Sequence, residues 1–432
     1  MVKAFKGIPY GADTSGKNRF MPPKKPVAWS AVRDAVDYGH IAPQVRSNPN
    51  SEYVKLIGWD RPVASMSEDC LNLNVWTRGV DGGKRPVLVS FHGGGWANGS
   101  GQEAGYDGEA MVRFGDVVVV TVNHRLGALG YCDMASLRAP AEFHQAGVAG
   151  AMDMVLALEW VRDNIARFGG DPNCVMIFGQ SGGGSKVATL MAMPSAKGLF
   201  HRAAIQSSSA PVRALTHDEA EEPASALANQ LGYPVVGFDK LQTVAWEEII
   251  KAQANPRRKN QGLMPRDERP MAAFAPVITP VILPRHPFAP DAPEVSADVP
   301  LIISNCVEDA SMNFTNFDMP QSNWEAFLNK SVGESHTAEA MAFYGKENVR
   351  TPFLRQARLE TDRVRGYAAN KVAERKAAQG KAAVYKYVWM QPSPGAGGKF
   401  GATHGIDVGP TFHNYDAPVN GGGPDAKLMA DR

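Results

Sequence analysis

The sequence predicts an α/β fold with a mostly parallel central sheet and helices on both faces. Three observations carry this reading. Short uninterrupted apolar runs recur at 86–91 (PVLVSF), 117–122 (VVVVTV) and 174–178 (CVMIF). Segments of helical periodicity alternate with them, such as 146–167. Glycine-rich turns follow two of the runs directly, at 92–95 and 179–184. Apolar runs bounded by turn residues suit strands buried on both faces, and their alternation with helices implies parallel pairing.

In chain order, the first 65 residues are rich in proline and turn formers and read as extended segments and loops. The strands 86–91 and 117–122 come next, then the helix 146–167. The strand 174–178 ends at Gly179 and leads into a helix over 182–192. Residues 202–206, 299–304 and 384–389 complete the core strands. Two polar insertions, about 210–296 and 311–380, interrupt this alternation. Both read as mostly helical, 353–378 being the clearest case, and both are expected over the carboxyl ends of the strands. The chain, residues 1–432, is read as one domain with cap-like insertions, and 391–401 and 417–425 as Gly/Pro-rich loops within it.

Composition narrows the function classes. Lys plus Arg is 45 and Asp plus Glu is 44, a balance that argues against nucleic acid or an anionic membrane as partner. No apolar stretch of about 18 residues occurs, as a membrane span requires. The N-terminus (MVKAFKGIPYG) lacks the apolar centre of a signal peptide. Cys70, Cys132, Cys174 and Cys306 are widely spread, without a CxxC, and read as reduced thiols. A cytoplasmic location is the expectation. No metal and no organic cofactor is expected, and oligomeric state has no sequence signal.

The sharpest local pattern is Gly179-Gln180-Ser181-Gly182-Gly183-Gly184, between the strand CVMIF and a helix-compatible segment. That context defines a nucleophile elbow, a strand-to-helix turn so tight that flanking positions must be glycine. The serine then projects above the sheet, and the free amides of the helix start face a developing oxyanion. The spacing is wrong for a dinucleotide or phosphate loop.

A second pattern, His92-Gly93-Gly94-Gly95-Trp96, follows PVLVSF. Consecutive glycines let a backbone approach a substrate with its amides unobstructed. Gly94 and Gly95 are the expected oxyanion donors, with Gly182 as the third. His92 is read as a brace for this loop. Trp96 and Gln180 are the candidate substrate-binding residues, Trp96 either lining the pocket or packing behind the loop.

The chain resembles the type-B carboxylesterases, the family of cholinesterases and bacterial p-nitrobenzyl esterases. The matching segments are FKGIPYG (5–11), SEDCLNLNVW (67–76), HGGGW (92–96), VNHRLGALGY (122–131), ALEWVRDNIARFGGDP (157–172), FGQSGGGSK (178–186) and LFHRAAIQSS (199–208). The resemblance implies an α/β-hydrolase fold, with the insertions over the active site, and a serine esterase without cofactor. Where members usually have Glu before the nucleophile and Ala after it, this chain has Gln180 and Gly182. Cys70 matches a cysteine that secreted members oxidise, but the upstream stretch 39–44 lacks its partner. Both ends are short against the family pattern, as in a truncated sequence.

The resemblance also implies the base and the acid. His404, in GATHGIDV, matches the family's catalytic histidine, with His413 the reserve. In VPLIISNCVEDASM (299–312), Asp309 aligns with the triad carboxylate, and Glu308 is the alternative. Arg125 and Asp163 resemble a structural ion pair, and Ser207 a buried serine near the acid. The expected chemistry is hydrolysis of a small-molecule carboxylic ester through an acyl-enzyme. The alternatives are an amide or carbamate hydrolase with the same residues, or a non-catalytic binding member of the family.

Overall fold

The computed structural model describes residues 1–58, 65–233, 238–253, 273–345 and 350–432. Parts of both insertions, 234–237, 254–272 and 346–349, thus lie outside the described residues.

Among the described residues eight strands form one sheet: β1 (Lys3–Pro9), β2 (Asn72–Thr77), β3 (Arg85–Phe91), β4 (Val118–Val122), β5 (Gly170–Gln180), β6 (Arg202–Gln206), β7 (Leu301–Cys306) and β8 (Val384–Trp389). Their order is β1-β2-β4-β3-β5-β6-β7-β8. The pairs β1/β2 and β2/β4 are antiparallel, and every pairing from β4 through β3 to β8 is parallel. Register fixes neighbours across the centre: Val89 lies beside Val120 on one side and Ile177 on the other.

The apolar runs explain the burial. Val87, Val89, Val118, Val119, Val120, Val122 and Ile177 are completely shielded from solvent. Burying each such side chain contributes about 1.5–3 kcal/mol. Helices α1 (Ala149–Asn164) and α2 (Gly182–Ala192) join the same core through Met154, Leu158, Val161, Val187 and Leu190. The strands read at 86–91, 117–122, 174–178, 202–206, 299–304 and 384–389 are β3 to β8. The antiparallel pair β1 and β2 lies in a region read from sequence only as loops, extended chain and a family segment.

The first insertion holds α3 (His217–Gln230) and α4 (Trp246–Gln253). A capping box starts α3: Thr216 Oγ1 accepts from Glu219 N, and Glu219 Oε2 accepts from Thr216 N. Helix α4 reaches the glycine-loop side of the molecule, where Gln253 Oε1 accepts from Ala128 N. The second insertion holds α5 (Gln321–Val332), α6 (Glu334–Tyr344), α7 (Pro352–Thr361) and α8 (Tyr367–Ala378). Its last helix differs from the sequence reading. Ala369 and Val372 of α8 belong to the main core, and α8 packs on β7 and β8 as the crossover between them. A parallel strand pair needs such a connection, so α8 belongs to the helical layer rather than to a cap.

Because β3, β5, β6, β7 and β8 run the same way, the segments that follow them emerge at one end of the sheet. Those segments carry His92, Ser181, Ser207, Asp309 and His404.

Candidate active site

The turn after β5 places Ser181 at φ 60° and ψ −123°, a conformation that L-residues adopt at a cost of about 1–3 kcal/mol. Close packing over-determines it. A Cβ on Gly183 would lie 2.1 Å from Phe91 O, and one on Gly179 would lie 2.5 Å from the Gly183 carbonyl carbon. Ser181 N donates to Gln206 O at 2.8 Å, tying the turn to the end of β6. Helix α2 begins at Gly182, so its first amides open towards the glycine loop.

His404 follows β8 and is 4% exposed. Its Nδ1 lies 2.6 Å from Asp309 Oδ1. A carboxylate can only accept here, so Nδ1 carries the proton and Nε2 is left with its lone pair. Asp309 Oδ2 accepts from Ser207 Oγ at 2.9 Å and from Cys306 N at 2.8 Å. The carboxylate is thus held on three sides. The backbone of His404 is held as well, since Tyr53 Oη donates to the His404 carbonyl oxygen at 2.8 Å. Burial lowers the His404 pKa below the ordinary 6.5, nearby Arg365 lowers it further, and Asp309 opposes both.

Glu308, the alternative acid, points elsewhere. It pairs with Arg350 and accepts from Ala402 N. His413, the reserve base, hydrogen-bonds Asp431 and stacks on Phe114. The structure therefore brings Asp309 to His404, and neither Glu308 nor His413 joins them.

Ser181 and His404 line one cavity of about 480 Å³, together with Gly93, Gly94, Gln180 and Tyr53. Among the described residues no hydrogen bond joins Ser181 to His404. Gln180 Nε2 instead lies 3.2 Å from both imidazole nitrogens. With Nδ1 protonated, Nε2 is the nitrogen able to accept from it.

Gly94 and Gly95 take φ of 80° and 63°, which fold the loop against the start of α2. A Cβ on Gly182 would lie 2.3 Å from Gly95 N. The three expected amide donors are thus adjacent. Among the described residues the amides of Gly94 and Gly95 have no protein acceptor, whereas Gly93 N donates to Tyr106 Oη. Trp96, expected as a substrate-binding residue, does not line the cavity. It is 6% exposed and packs edge-to-face on Tyr131, because the two left-handed glycines turn the chain back into the core. Gln180 does line the cavity.

The expected Arg125–Asp163 pair is corrected. Arg125 binds Asp153 in bidentate fashion, at 2.6 and 2.9 Å, with both side chains buried. Asp163 lies farther along α1, where it meets Arg162 and Lys25. Helix rise separates the two positions by roughly 15 Å, so one arginine cannot serve both.

Sequence reasoning missed three site neighbours. Arg365 donates to Ser207 O at 3.2 Å from a π-helical turn over Asp362–Gly366. Asp407 is 1% exposed and accepts from Gln206 Nε2 at 3.3 Å; burial and the nearby Asp309 push its pKa up to about 7. Lys186 is fully buried behind the glycine loop. Lys186 lies in a helix buried on every side, so no amphipathic period singles it out, and Arg365 and Asp407 carry no linear signal either. Among the described residues no group of three or more His, Cys, Asp or Glu could hold a metal ion, and no helix is long and apolar enough to cross a membrane.

The sheet order and the turn at Ser181 define an α/β-hydrolase fold. The carboxylesterase family profile matches residues 1–418, and the chain belongs to that family. It is 36% identical to para-nitrobenzyl esterase of Bacillus subtilis over 73% of this chain and 60% of the relative. It is 33% identical to phenmedipham hydrolase of Pseudarthrobacter oxydans over 95% of this chain and 79% of the relative. Among solved structures, a thermophilic PNB esterase superposes with a TM-score of 0.79 at 30% identity, covering all of this chain and 85% of that one. The Geobacillus stearothermophilus carboxylesterase EST55 superposes at 0.77 with 31% identity, covering 99% and 84%. The chain spans less than two thirds of the para-nitrobenzyl esterase it matches.

Proposed function

We propose that the chain is a serine hydrolase that cleaves carboxylic esters of small molecules through an acyl-enzyme. Ser181 Oγ attacks the ester carbonyl carbon and passes its proton to His404 Nε2. Asp309 holds the imidazole in the tautomer that leaves Nε2 free and stabilises the imidazolium that forms. The amides of Gly94, Gly95 and Gly182 donate hydrogen bonds to the carbonyl oxygen as negative charge develops on it. The protonated His404 gives its proton to the departing alcohol. Water then attacks the acyl-enzyme by the same route and releases the acid.

The observation that carries this reading is the 2.6 Å bond from His404 Nδ1 to Asp309 Oδ1, at a cavity that Ser181 shares. Gln180 supports it as a residue that meets both substrate and base. The turn holds it beside Ser181, and its amide must leave Nε2 before Ser181 can deliver a proton there.

Mass spectrometry after treatment with a fluorophosphonate probe tests the proposal. Labelling at Ser181, with loss of p-nitrophenyl acetate turnover, is expected. Full turnover by Ser181→Ala would overturn it. Because one relative is named phenmedipham hydrolase, phenmedipham belongs beside p-nitrophenyl acetate in the substrate panel.

A further inference from the structure

Lys186, in the second turn of α2, is 0% exposed. Among the described residues it has no carboxylate partner. Its Nζ donates to His92 O at 2.7 Å and to Gly93 O at 3.3 Å. The Gly93 carbonyl belongs to the same peptide group as the Gly94 amide, the first of the proposed oxyanion donors. A second donor meets that carbonyl from the side: His92 Nδ1 lies 2.9 Å from Gly93 O. An imidazole nitrogen facing a carbonyl must carry the proton, so both groups draw electron density towards the oxygen.

The surroundings make a cation here costly. The amino end of α2 is the positive end of the helix dipole. His92 and His124 stack at 5.0 Å beside the loop. The Trp96 ring, its centre 5.9 Å from Nζ, offsets part of that cost by a cation–π contact. Glu103 acts on the ammonium only through its field. Burial pushes the Lys186 pKa down to about 7. An apolar side chain of similar length would fill the space without this penalty, although it would take the donor from His92 O and leave Gly93 O with His92 Nδ1 alone.

We propose that Lys186 is a positioning residue of the oxyanion hole, whose ammonium polarises the Gly93–Gly94 peptide and strengthens the Gly94 amide as a donor to the oxyanion. Hydrogen bonds in chains reinforce one another, and a desolvated cation at the rear of a peptide makes its N–H more acidic. The effect is greatest when the substrate oxygen carries full negative charge. It therefore acts on the transition state more than on ground-state binding. This inference rests on the ester-hydrolase reading above.

The test compares the parent chain with Lys186→Met at 25 °C, after thermal melting has shown both folded. Two quantities are read: steady-state p-nitrophenyl acetate hydrolysis, and inhibition by an aryl trifluoromethyl ketone, which adds the serine to form a tetrahedral oxyanion. The variant is expected to lose roughly ten- to hundredfold in kcat, short of the loss from deleting a donor outright. KM should stay within about twofold, and the inhibition constant should rise by the same factor as kcat falls. A folded variant with parental kcat and parental ketone affinity would overturn the inference, leaving Lys186 a structural strut. If Lys186→Met does not fold, the same measurements on Lys186→Gln decide. Its amide keeps one bond without the charge, and parental values there overturn the inference too. A parent chain that neither turns over ester nor binds the ketone overturns the hydrolase reading itself.

Discussion

Asp309 Oδ1 lies 2.6 Å from His404 Nδ1, while the adjacent Glu308 turns away to Arg350 and the amide of Ala402. Two consecutive carboxylates thus have separate tasks. Asp309→Asn should keep the fold and lower kcat by about 10⁴, as expected when an imidazole is held in the wrong tautomer. Glu308→Gln should lower the melting temperature and leave kcat within about tenfold. Steady-state kinetics beside a melting curve would separate them. Equal kcat losses in both would show that the assignment of the acid is wrong.

The acidic limb of the kcat/KM profile should reflect His404. The base works unprotonated, and burial holds its pKa below 6.5. Activity should therefore fall as pH drops below 6.5. Gln180→Glu adds a negative charge within reach of the ring, favouring the imidazolium and shifting that limb to higher pH. An unmoved limb in the variant would contradict the contact.

Asp407 makes an opposite kind of statement. Its folded pKa of about 7 stands above the ordinary 3.8, so the folded state holds the proton more tightly. Its contribution is therefore neutral below about pH 3.8, becomes increasingly unfavourable as pH rises towards 7, and is fully unfavourable above that. Asp407→Asn, which mimics the protonated form, should raise the melting temperature at pH 8 relative to the parent and change it less at pH 5. A gain confined to pH 5 would refute the sign.

Asp153 and Asp163 sit on the same helix and differ in consequence. Asp153→Ala strips a buried guanidinium of its bidentate partner and should cost about 3–5 kcal/mol. Asp163→Ala removes exposed pairs and should stay within about 0.5 kcal/mol. Urea titrations of the two variants make the comparison, and a matching loss in both would restore Asp163 as the partner.

Much of this arrangement was legible in the chain itself. The turn around Ser181 was, because its geometry demands glycines at fixed offsets from a buried strand. So were β3 to β7, whose burial leaves apolar runs, and β8, which keeps strand-forming residues although most of its side chains are exposed. Strand β1 was not. It contains Gly7 and Pro9, and its side chains are exposed or half-buried, so neither period nor propensity marks it. Its pairing with β2, about 70 residues later, supplies what local sequence lacks. The partner of Arg125 was misread for a related reason, since a helix offers several carboxylates and only packing selects one. Sequence left Trp96 between the pocket wall and the core behind the loop, because the direction of the chain after Gly94 and Gly95 depends on two positive φ values.

The strand that delivers His404 is the outermost in its sheet. Among the described residues β8 pairs only with β7, along one side, and Tyr385, Tyr387 and Val388 are exposed. The turn at Ser181, by contrast, rests on β5 in the middle of the sheet. The two halves of the proposed proton relay are therefore anchored in regions of unequal resistance to opening. Fraying of that margin would disconnect the imidazole while the serine turn and its amides stayed assembled. On warming, catalytic competence should thus vanish before the cooperative loss of the core, and it should return on cooling as long as only the margin has opened.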